Sequence, residues 1–216
     1  MQLNPGHFNR FLNGLGQHTQ WRAAIDCPCR NPHSGGADQA CQICRGAGQA
    51  WSDPVAGIVA LSGQKQQREW AAFGLWESGD LVVTIPSDSP IYALGEFDRV
   101  TFTDSSEPFS LTQVRGKSGP MAFPVLRLDR CVVRVTDAEG VMSLVDVDLP
   151  TLDASNQPVW AAGQGPDTLQ TYSLSGRKYP EYYAYGNFPQ DRAHHQGLDL
   201  PRKVILRRFD LFGRTR

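Results

Sequence analysis

The sequence contains no apolar run approaching the roughly 20 residues that a membrane-spanning helix requires. Its 21 basic residues nearly balance its 22 acidic residues, which argues against a general attraction of the chain to nucleic acid or to a membrane surface. Neither a Gly-x-Ser-x-Gly elbow nor a His-Glu-x-x-His motif is present, so the sequence lacks two common hydrolase signatures. The chain also opens without a signal-peptide pattern, which predicts synthesis in the cytoplasm, where thiols stay reduced.

Glycine and proline, by contrast, are abundant, with 21 and 15 residues. From Trp51 onward, short apolar segments alternate with turn signals about every 8 to 12 residues, a pattern typical of a sandwich or barrel. Segments 125–136 and 141–149 flank Asp137-Ala-Glu-Gly140 and predict a hairpin. A second hairpin is predicted around Ser175-Gly176. We therefore expect a mainly β protein with a sandwich or barrel-like domain.

A short helix is expected at the N-terminus. Asn4-Pro5 combines a capping side chain with a proline at the first helical position. Apolar residues then follow at helical spacing, which predicts one stripe that packs on the β domain or on a neighbouring subunit. The members of this stripe are Phe8, Phe11, Leu12 and Leu15.

Four of the five cysteines lie between residues 27 and 44, in two close pairs separated by a loop rich in glycine, proline and asparagine. Two tight turns that each offer two thiolates suit a tetrahedral zinc ion. The second pair, Cys41-x-x-Cys44-x-Gly46-x-Gly48, resembles the knuckles of the DnaJ-type chaperones. Its glycines allow backbone N–H groups to turn towards the sulfur atoms. A structural zinc site is therefore predicted at Cys27, Cys29, Cys41 and Cys44.

The first pair, Cys27-Pro-Cys29, has only one residue between its cysteines, where structural zinc sites have two to four. His33 is therefore a possible substitute ligand for one sulfur. Two disulfides, or free thiols, are the alternatives to a metal. Four protein ligands would leave no open position for a catalytic water. Cys131 stands in a valine-rich strand pattern and is interpreted as a buried apolar residue.

Other candidate sites have simpler explanations. His194-His195 could bind metal or transfer protons, but no nucleophile or carboxylate pair is matched to them. Gly116-Lys117-Ser118 imitates the end of a phosphate-binding loop but lies between strands, so a turn is expected. Asp80, Asp88 and Asp98 are assigned to turns and strand ends.

The last third of the sequence offers candidate contact surfaces. Tyrosines 179, 182, 183 and 185 and Phe188 form an aromatic group beside an arginine-rich end, and both residue types are common in interface cores. A sheet face filled with aromatic side chains is the alternative.

We divide the chain into a helix and cysteine loop (1–50), a β domain (51–150) and a region of loops, hairpin and basic strand (151–216), packed on the same domain. The candidate interface residues are Phe8, Phe11, Tyr182, Tyr183, Tyr185, Arg202, Arg207 and Arg208; the basic end also includes Lys203, Arg214 and Arg216.

Four features of the sequence combine into a pattern: the short N-terminal helix, the cysteine loop, the segment Gly79-Asp-Leu-Val-Val-Thr-Ile-Pro-Ser-Asp-Ser-Pro-Ile-Tyr92, and the tyrosine-rich hairpin before Leu200-Pro-Arg-Lys-Val-Ile-Leu-Arg-Arg-Phe-Asp210. Together they resemble the small head-to-tail joining proteins of tailed bacteriophages. These are collar, adaptor or stopper subunits. The resemblance implies a structural virion protein without catalysis, made in the host cytoplasm and located in the neck. It further implies a ring of six or twelve copies that contacts portal or tail proteins, with DNA passing nearby and no membrane.

Two other functions remain open at this stage. One is a structural component of the phage tail or baseplate. The other, of a different class, is a zinc-dependent hydrolase that uses His194 and His195.

Overall fold

The structure, a computed structural model, describes residues 4–44, 46–74, 76–187, 194–195 and 197–212. The fold is mainly β, as predicted. Two α-helices, α1 (Pro5–Leu15) and α2 (Gln64–Ala72), and two short 3-10 helices, Pro90–Ala93 and Phe209–Leu211, accompany the strands. The strands are β1 (Gln17–Arg22), β2 (Ala24–Asp26), β3 (Gln49–Trp51), β4 (Val55–Leu61), β5 (Leu81–Ile85), β6 (Arg99–Phe102), β7 (Glu107–Val114), β8 (Val125–Thr136), β9 (Met142–Val147), β10 (Thr151–Leu152), β11 (Pro158–Val159), β12 (Thr171–Lys178), β13 (Glu181–Asn187), β14 (His194–His195), β15 (Leu198–Asp199) and β16 (Arg202–Arg208).

Six strands form a closed barrel in the order β1-β4-β5-β16-β13-β6, with β6 pairing back to β1. All of these pairings are antiparallel. Side chains alternate between the two faces of each strand, so apolar residues fill the interior of the barrel. The buried members of this core are Val59, Val83, Ile85, Ile91, Leu94, Val100, Phe102, Ala184, Val204 and Leu206.

The chain contacts define two compact units. Unit 1 contains the described residues up to Asp104 and from Glu181 onward, and unit 2 contains Ser105–Pro180. The boundaries expected from the sequence lie at residues 50 and 150, whereas the contacts divide the chain after residues 104 and 180. Tyr179 and the long loop that follows β9 therefore belong to unit 2, whereas Tyr182, Tyr183 and Tyr185 belong to unit 1.

Unit 2 contains a four-stranded antiparallel sheet in the order β7-β12-β8-β9. The hairpin predicted around Asp137-Gly140 is present as β8 and β9, and the Asp137 carboxylate accepts the N–H groups of Glu139 and Val141 in its turn. The prediction of a turn at Ser175-Gly176 is wrong, because β12 continues through both residues, with a shift of its register against β8 between them. The core of unit 2 combines Met121, Cys131, Val133, Tyr172 and Leu174.

Helix α1 begins as predicted. The Asn4 side chain accepts the N–H of Gly6 at 3.0 Å, and Pro5 occupies the first turn. Its attachment to the barrel is polar: Asn9 is buried and exchanges hydrogen bonds with Ser87 at 2.9 and 3.0 Å. Phe8, Phe11 and Leu15 remain exposed, so within this chain most of the predicted stripe is uncovered.

Helix α2 is absent from the sequence predictions, which assign no helix to residues 64–72. It is held by Trp70, which is buried against Val82, Ile205 and Tyr185 on the outside of the barrel. No helix among the described residues is long and apolar enough to cross a membrane.

Candidate metal centre

The cysteine loop projects from a short ribbon next to the barrel. Strands β2 and β3 pair over three residues each, from Ala24 opposite Trp51 to Asp26 opposite Gln49. A further bond, from the N–H of Cys27 to the carbonyl of Gly48 at 3.0 Å, extends the ladder into the loop. Both ends of the cysteine loop are therefore held at one point, and the two cysteine pairs face each other across it.

The four sulfur atoms all lie within 4.8 Å of one another. The Sγ atoms of Cys27 and Cys41 are 3.8 Å apart, and those of Cys29 and Cys44 are 3.4 Å apart. A tetrahedral site with metal–sulfur bonds of about 2.3 Å has sulfur–sulfur edges of about 3.8 Å. A disulfide requires about 2.05 Å, and all four cysteines are free thiols. The single residue between Cys27 and Cys29 thus does not prevent the four sulfurs from converging.

Backbone N–H groups point at several of these sulfurs. Burial raises the pKa of the Cys44 thiol, but hydrogen bonds from the N–H groups of Gly48 and Gly46 and from the Cys29 thiol outweigh this effect and lower the pKa to about 7. Both glycines have positive φ, 82° at Gly46 and 76° at Gly48, which side chains with a Cβ adopt only with strain. The expected glycine-dependent knuckle is present at the second pair.

The first pair receives fewer donors. Burial raises the pKa of Cys29 to about 12, although the backbone N–H of Asp38 opposes the shift. At Cys27 the N–H of Cys29 lowers the pKa, but burial and the neighbouring thiols outweigh it and the net shift is upward. The raised pKa values of Cys27 and Cys29 favour their protonated forms, so metal binding at these two sulfurs must release protons.

The loop between the pairs is braced by polar contacts and does not contribute ligands. The Asn31 carboxamide oxygen accepts the N–H groups of His33 and Ser34 at 2.8 and 3.1 Å. Arg30 donates to Asp26 at 2.7 Å and to the carbonyl of Gly35 at 3.0 Å. His33 is exposed and is not part of the four-sulfur cluster. The proposed substitution of a cysteine by His33 therefore has no support in this geometry.

These residues fit a metal ion. Four thiols converge at tetrahedral spacing, two of them (Cys27 and Cys44) are buried, and backbone N–H groups can stabilise the thiolates. Soft thiolate ligands in this geometry select zinc or iron. Four protein sulfurs fill a tetrahedral coordination shell, so the arrangement suits a structural metal and leaves no position for a substrate.

Asp98 anchors the ribbon to the barrel, and sequence reasoning did not identify this role. Its buried carboxylate accepts the N–H of Ala24, the indole N–H of Trp21 and the N–H of Gly95, each at 2.7 Å. All three of these donors are neutral N–H groups. An aspartate next to a strand start is common, and only its distant partners reveal its function.

Trp51 is the second residue that the sequence did not single out. It ends β3, donates its indole N–H to the carbonyl of Phe97 at 3.1 Å, and meets the rings of Phe209 and Phe212 edge-on at 5.3 and 5.7 Å. The Arg99 guanidinium lies 4.2 Å from the Phe209 ring and forms a two-point ion pair with Glu181 at 2.8 and 2.6 Å. The base of the ribbon is thus packed against the C-terminal segment.

Most of the candidate interface residues near the C-terminus are used inside unit 1. Tyr183 is 4% exposed and Arg207 is 3% exposed, with Arg207 paired to buried Asp80 at 3.0 Å. Tyr182 packs edge-on against Phe102, and Tyr185 stacks under the Arg207 guanidinium at 3.8 Å. Among these described residues the three tyrosines are buried or half-buried: Tyr182 packs against the barrel core, whereas Tyr185 packs beside Trp70 and Arg207.

The described arginines of the basic end also contact other residues of unit 1. Arg202 bonds the carbonyl of Leu94 and lies 5.2 Å from the Tyr92 ring, while Arg208 pairs with Asp210 at 3.2 Å. Arg214 and Arg216 of this predicted tail lie outside the described residues, as does Phe188 of the aromatic group. Phe8 and Phe11 are the two candidates whose side chains stay largely exposed.

The histidine pair does not assemble a site among the described residues. The exposed His194 bonds Asp199 at 2.7 Å across the short β14–β15 ribbon, and the side chain of His195 lies outside the described part. Asp80 and Asp98 are buried at separate places and Asp88 is exposed, so the three carboxylates do not form a cluster. Gly116 and Lys117 lie in a turn after β7, as expected.

A comparison with models of known protein families finds no match, and neither does a comparison with curated protein sequences.

Proposed function

We propose that this chain is a structural, non-catalytic subunit that assembles with copies of itself, and that its role is that of a ring component in the head-to-tail connector of a tailed phage. The observation that carries the assembly proposal is an uncovered apolar end of the β8–β9 hairpin. We call this surface the apolar arm; it consists of Val135, Val141, Met142, Leu144 and Val145.

The apolar arm is unusual for a protein that acts alone. Leu144 and Met142 are 67% and 65% exposed, and the residues of β9 on both faces of the hairpin share this exposure. Strand β9 is also the last strand of its sheet, so one row of its backbone donors and acceptors is unpaired within the sheet. An exposed apolar edge strand promotes pairing with another chain unless it is blocked. Asp146 is the only charge within β9.

The same sheet has a second free edge at β7, on the opposite side from β9. Contact between two different surfaces of identical chains is heterologous and closes a ring when the rotation between copies permits it. Exposed Phe8 and Phe11 on α1 add a further apolar contact. These features support a ring built from copies of this chain; contact with portal or tail proteins and proximity to DNA follow from the proposed connector role.

We further propose that Cys27, Cys29, Cys41 and Cys44 hold a structural zinc ion. The ion would brace the loop between Cys27 and Gly48 in a compartment where disulfides are not maintained. Within the described residues, the metal cluster contains sulfur ligands only, and His194 is engaged elsewhere. This arrangement favours the structural role over the zinc-dependent hydrolase.

Self-association is tested with Leu144→Lys, measured by light scattering coupled to size-exclusion chromatography and by electron microscopy. Burying a leucine side chain contributes about 1.5–3 kcal/mol, so the variant should weaken association about tenfold or more. Val159→Lys, at a half-exposed position of unit 2 outside the apolar arm, is the control and should assemble normally.

A wild-type protein that stays monomeric at high concentration would overturn the assembly proposal. Rings found in purified phage necks support the connector, whereas the same chain located in a tail tip or baseplate would replace it with the alternative position. The zinc proposal fails separately if the purified protein contains no stoichiometric metal and its four loop thiols react freely with a thiol reagent.

A further inference from the structure

The β2–β3 ribbon, which we call the metal ribbon, and the C-terminal segment 209–212 contribute to one aromatic cluster, although more than 150 residues separate them in sequence. Trp51 contributes from β3, Phe97 from the turn before β6, Tyr183 from β13, and Phe209 and Phe212 from the C-terminal segment. We call these five residues the aromatic clasp. Ring centroids lie between 5.1 and 6.0 Å in the edge-to-face pairs that Phe212 makes with Trp51, Phe97 and Tyr183.

The C-terminal segment is held by this clasp, by the Arg99 guanidinium over the Phe209 ring and by the pair of Arg208 with Asp210. Beyond β16 it forms a single 3-10 turn, in which the N–H of Phe212 bonds the carbonyl of Phe209 at 3.0 Å. No strand pairing among the described residues extends past Arg208. Edge-to-face aromatic pairs stabilise a contact beyond the apolar area that they bury, so the rings of the clasp contribute directly to the attachment of this segment.

Trp51 in turn depends on a ribbon that is too short to be stable alone. β2 and β3 pair over only three residues each, and isolated two-stranded ribbons are marginal in water. The ribbon is fixed at its barrel end by Asp98 and by the bond from the N–H of Ser52 to the carbonyl of Ala23. At its other end, the cysteine cluster begins immediately after Asp26, the last residue of β2.

We propose that metal bound at the cysteine cluster governs the C-terminal segment: the loaded ribbon holds Trp51 as the platform on which Phe209 and Phe212 close, and loss of metal releases them. This inference rests on the metal binding proposed above, and it adds that the bound metal controls the attachment of the C-terminal segment. Loading the metal fastens the C-terminal segment to the barrel, while metal-free chains present that segment for contact with other molecules.

The test uses the full-length protein and limited digestion with chymotrypsin, which cleaves after Phe209, Leu211 and Phe212. Mass spectrometry identifies each cut. Removing the metal with a strong chelator should accelerate cleavage in this segment about tenfold, the factor that corresponds to losing one or two aromatic pairs. Adding zinc back should restore the slow rate.

Two variants isolate the role of the clasp. Trp51→Leu should retain its metal, yet should be cleaved rapidly with or without the chelator. Trp160→Leu is the matched control, because Trp160 packs on Tyr172 in unit 2 and is not part of the clasp. It should show the same chelator dependence as the wild type.

Several results would overturn the inference. One is equal cleavage rates for metal-loaded and metal-free wild type, and another is slow cleavage of Trp51→Leu. Simultaneous cleavage after buried Phe102 would show that chelation unfolds the whole barrel and that no local coupling exists. A metal-bearing protein with unchanged cleavage contradicts this inference alone, whereas a protein that takes up no metal contradicts the zinc proposal as well; the association measured with Leu144→Lys is independent of both.

Discussion

Asp98 shows how one side chain can join two parts of a fold. Its carboxylate accepts hydrogen bonds from three N–H groups at 2.7 Å, one in the β2–β3 ribbon at Ala24 and two on the barrel side at Trp21 and Gly95. A carboxylate accepts hydrogen bonds at both of its oxygens, and no neutral replacement of the same shape can do so.

Asp98→Asn should therefore destabilise unit 1 by about 1–3 kcal/mol, because the new NH2 group faces donors and leaves at least one buried N–H unpaired. Urea unfolding followed by circular dichroism measures the effect. Asp88→Asn is the control: Asp88 is exposed and accepts only a long 3.4 Å bond from Asn13, so its change should stay within about 0.5 kcal/mol. Equal effects of the two substitutions would contradict the anchoring role.

Asp104 gives a prediction that depends on pH. The backbone N–H of His18, and then its ring, bond the carboxylate at 2.7 and 2.9 Å and lower the pKa of Asp104 below its ordinary value of 3.8. A carboxyl whose pKa is lower in the folded state stabilises the fold above its unfolded pKa, and this contribution is lost as the pH falls through the folded pKa. The wild type should thus melt above Asp104→Asn at neutral pH.

The difference between the two melting temperatures should shrink once the pH falls below 3.8. Differential scanning calorimetry from about pH 6 down to about pH 2 covers the relevant window. A difference that stays constant over this range would show that the Asp104 charge contributes nothing.

Whole elements differ in how far the sequence predicts them. The β8–β9 hairpin is predictable because Asp137 and Gly140 form its turn from local chemistry alone. The same reasoning fails at Gly176, where glycine serves close packing and not a turn: a Cβ there would lie 2.2 Å from the carbonyl oxygen of Arg127 in β8. Helix α2 is stabilised by Trp70 docking on distant strands, so its own polar sequence contains little signal.

The residues of the candidate metal centre also differ in how far the sequence predicts them. The four cysteines are predictable because their spacing is local and their chemistry is specific. Asp98 and Trp51 are not, since each acts through partners far away in sequence: Asp98 through Trp21 and Ala24, Trp51 through Phe209. The sequence does not decide whether the tyrosine group forms an interface or fills a sheet face. Only the register of β13 against β16 and β6 shows which of its side chains point into the barrel.

Strand β12 provides a direct test of this packing. Gly176→Ala should destabilise unit 2 by about 1–3 kcal/mol, because the added methyl group meets backbone atoms of β8 that cannot move independently. Gly186→Ala in β13 is the control: no heavy atom lies within 4 Å of the position that its methyl group would take, so the change should be close to neutral. Thermal unfolding of both variants provides the comparison, and a stable Gly176→Ala protein would contradict the close approach of β12 and β8.

Considered as a whole, the molecule combines a nearly neutral charge with large exposed apolar side chains. The formal net charge is −1, and the apolar arm contains no charged residue. Association through such a surface depends on removing apolar area from water, whereas binding to DNA depends on phosphate neutralisation and counterion release. Salt therefore separates the two kinds of partner.

Self-association should persist or strengthen when sodium chloride is raised from about 0.1 M to about 1 M, where the Debye length falls to about 3 Å. Any binding to a labelled DNA duplex should weaken steeply over the same range. Light scattering and fluorescence anisotropy measure the two in parallel. Dissociation of the assembly at high salt would show that ion pairs, and not the apolar arm, hold the copies together.

The connections of the barrel have a consequence for how this protein can diverge. The chain leaves β1 and returns in β4 at the paired residues Trp21 and Val55, and it leaves β6 and returns in β13 beside the pair Thr101 and Glu181. The cysteine loop lies between the residues of the first pair, and unit 2 lies between those of the second. Each insert therefore begins and ends at neighbouring residues of the barrel. A change in the length of either insert therefore leaves the strand register of the barrel unchanged, because the paired residues at its two ends stay in place.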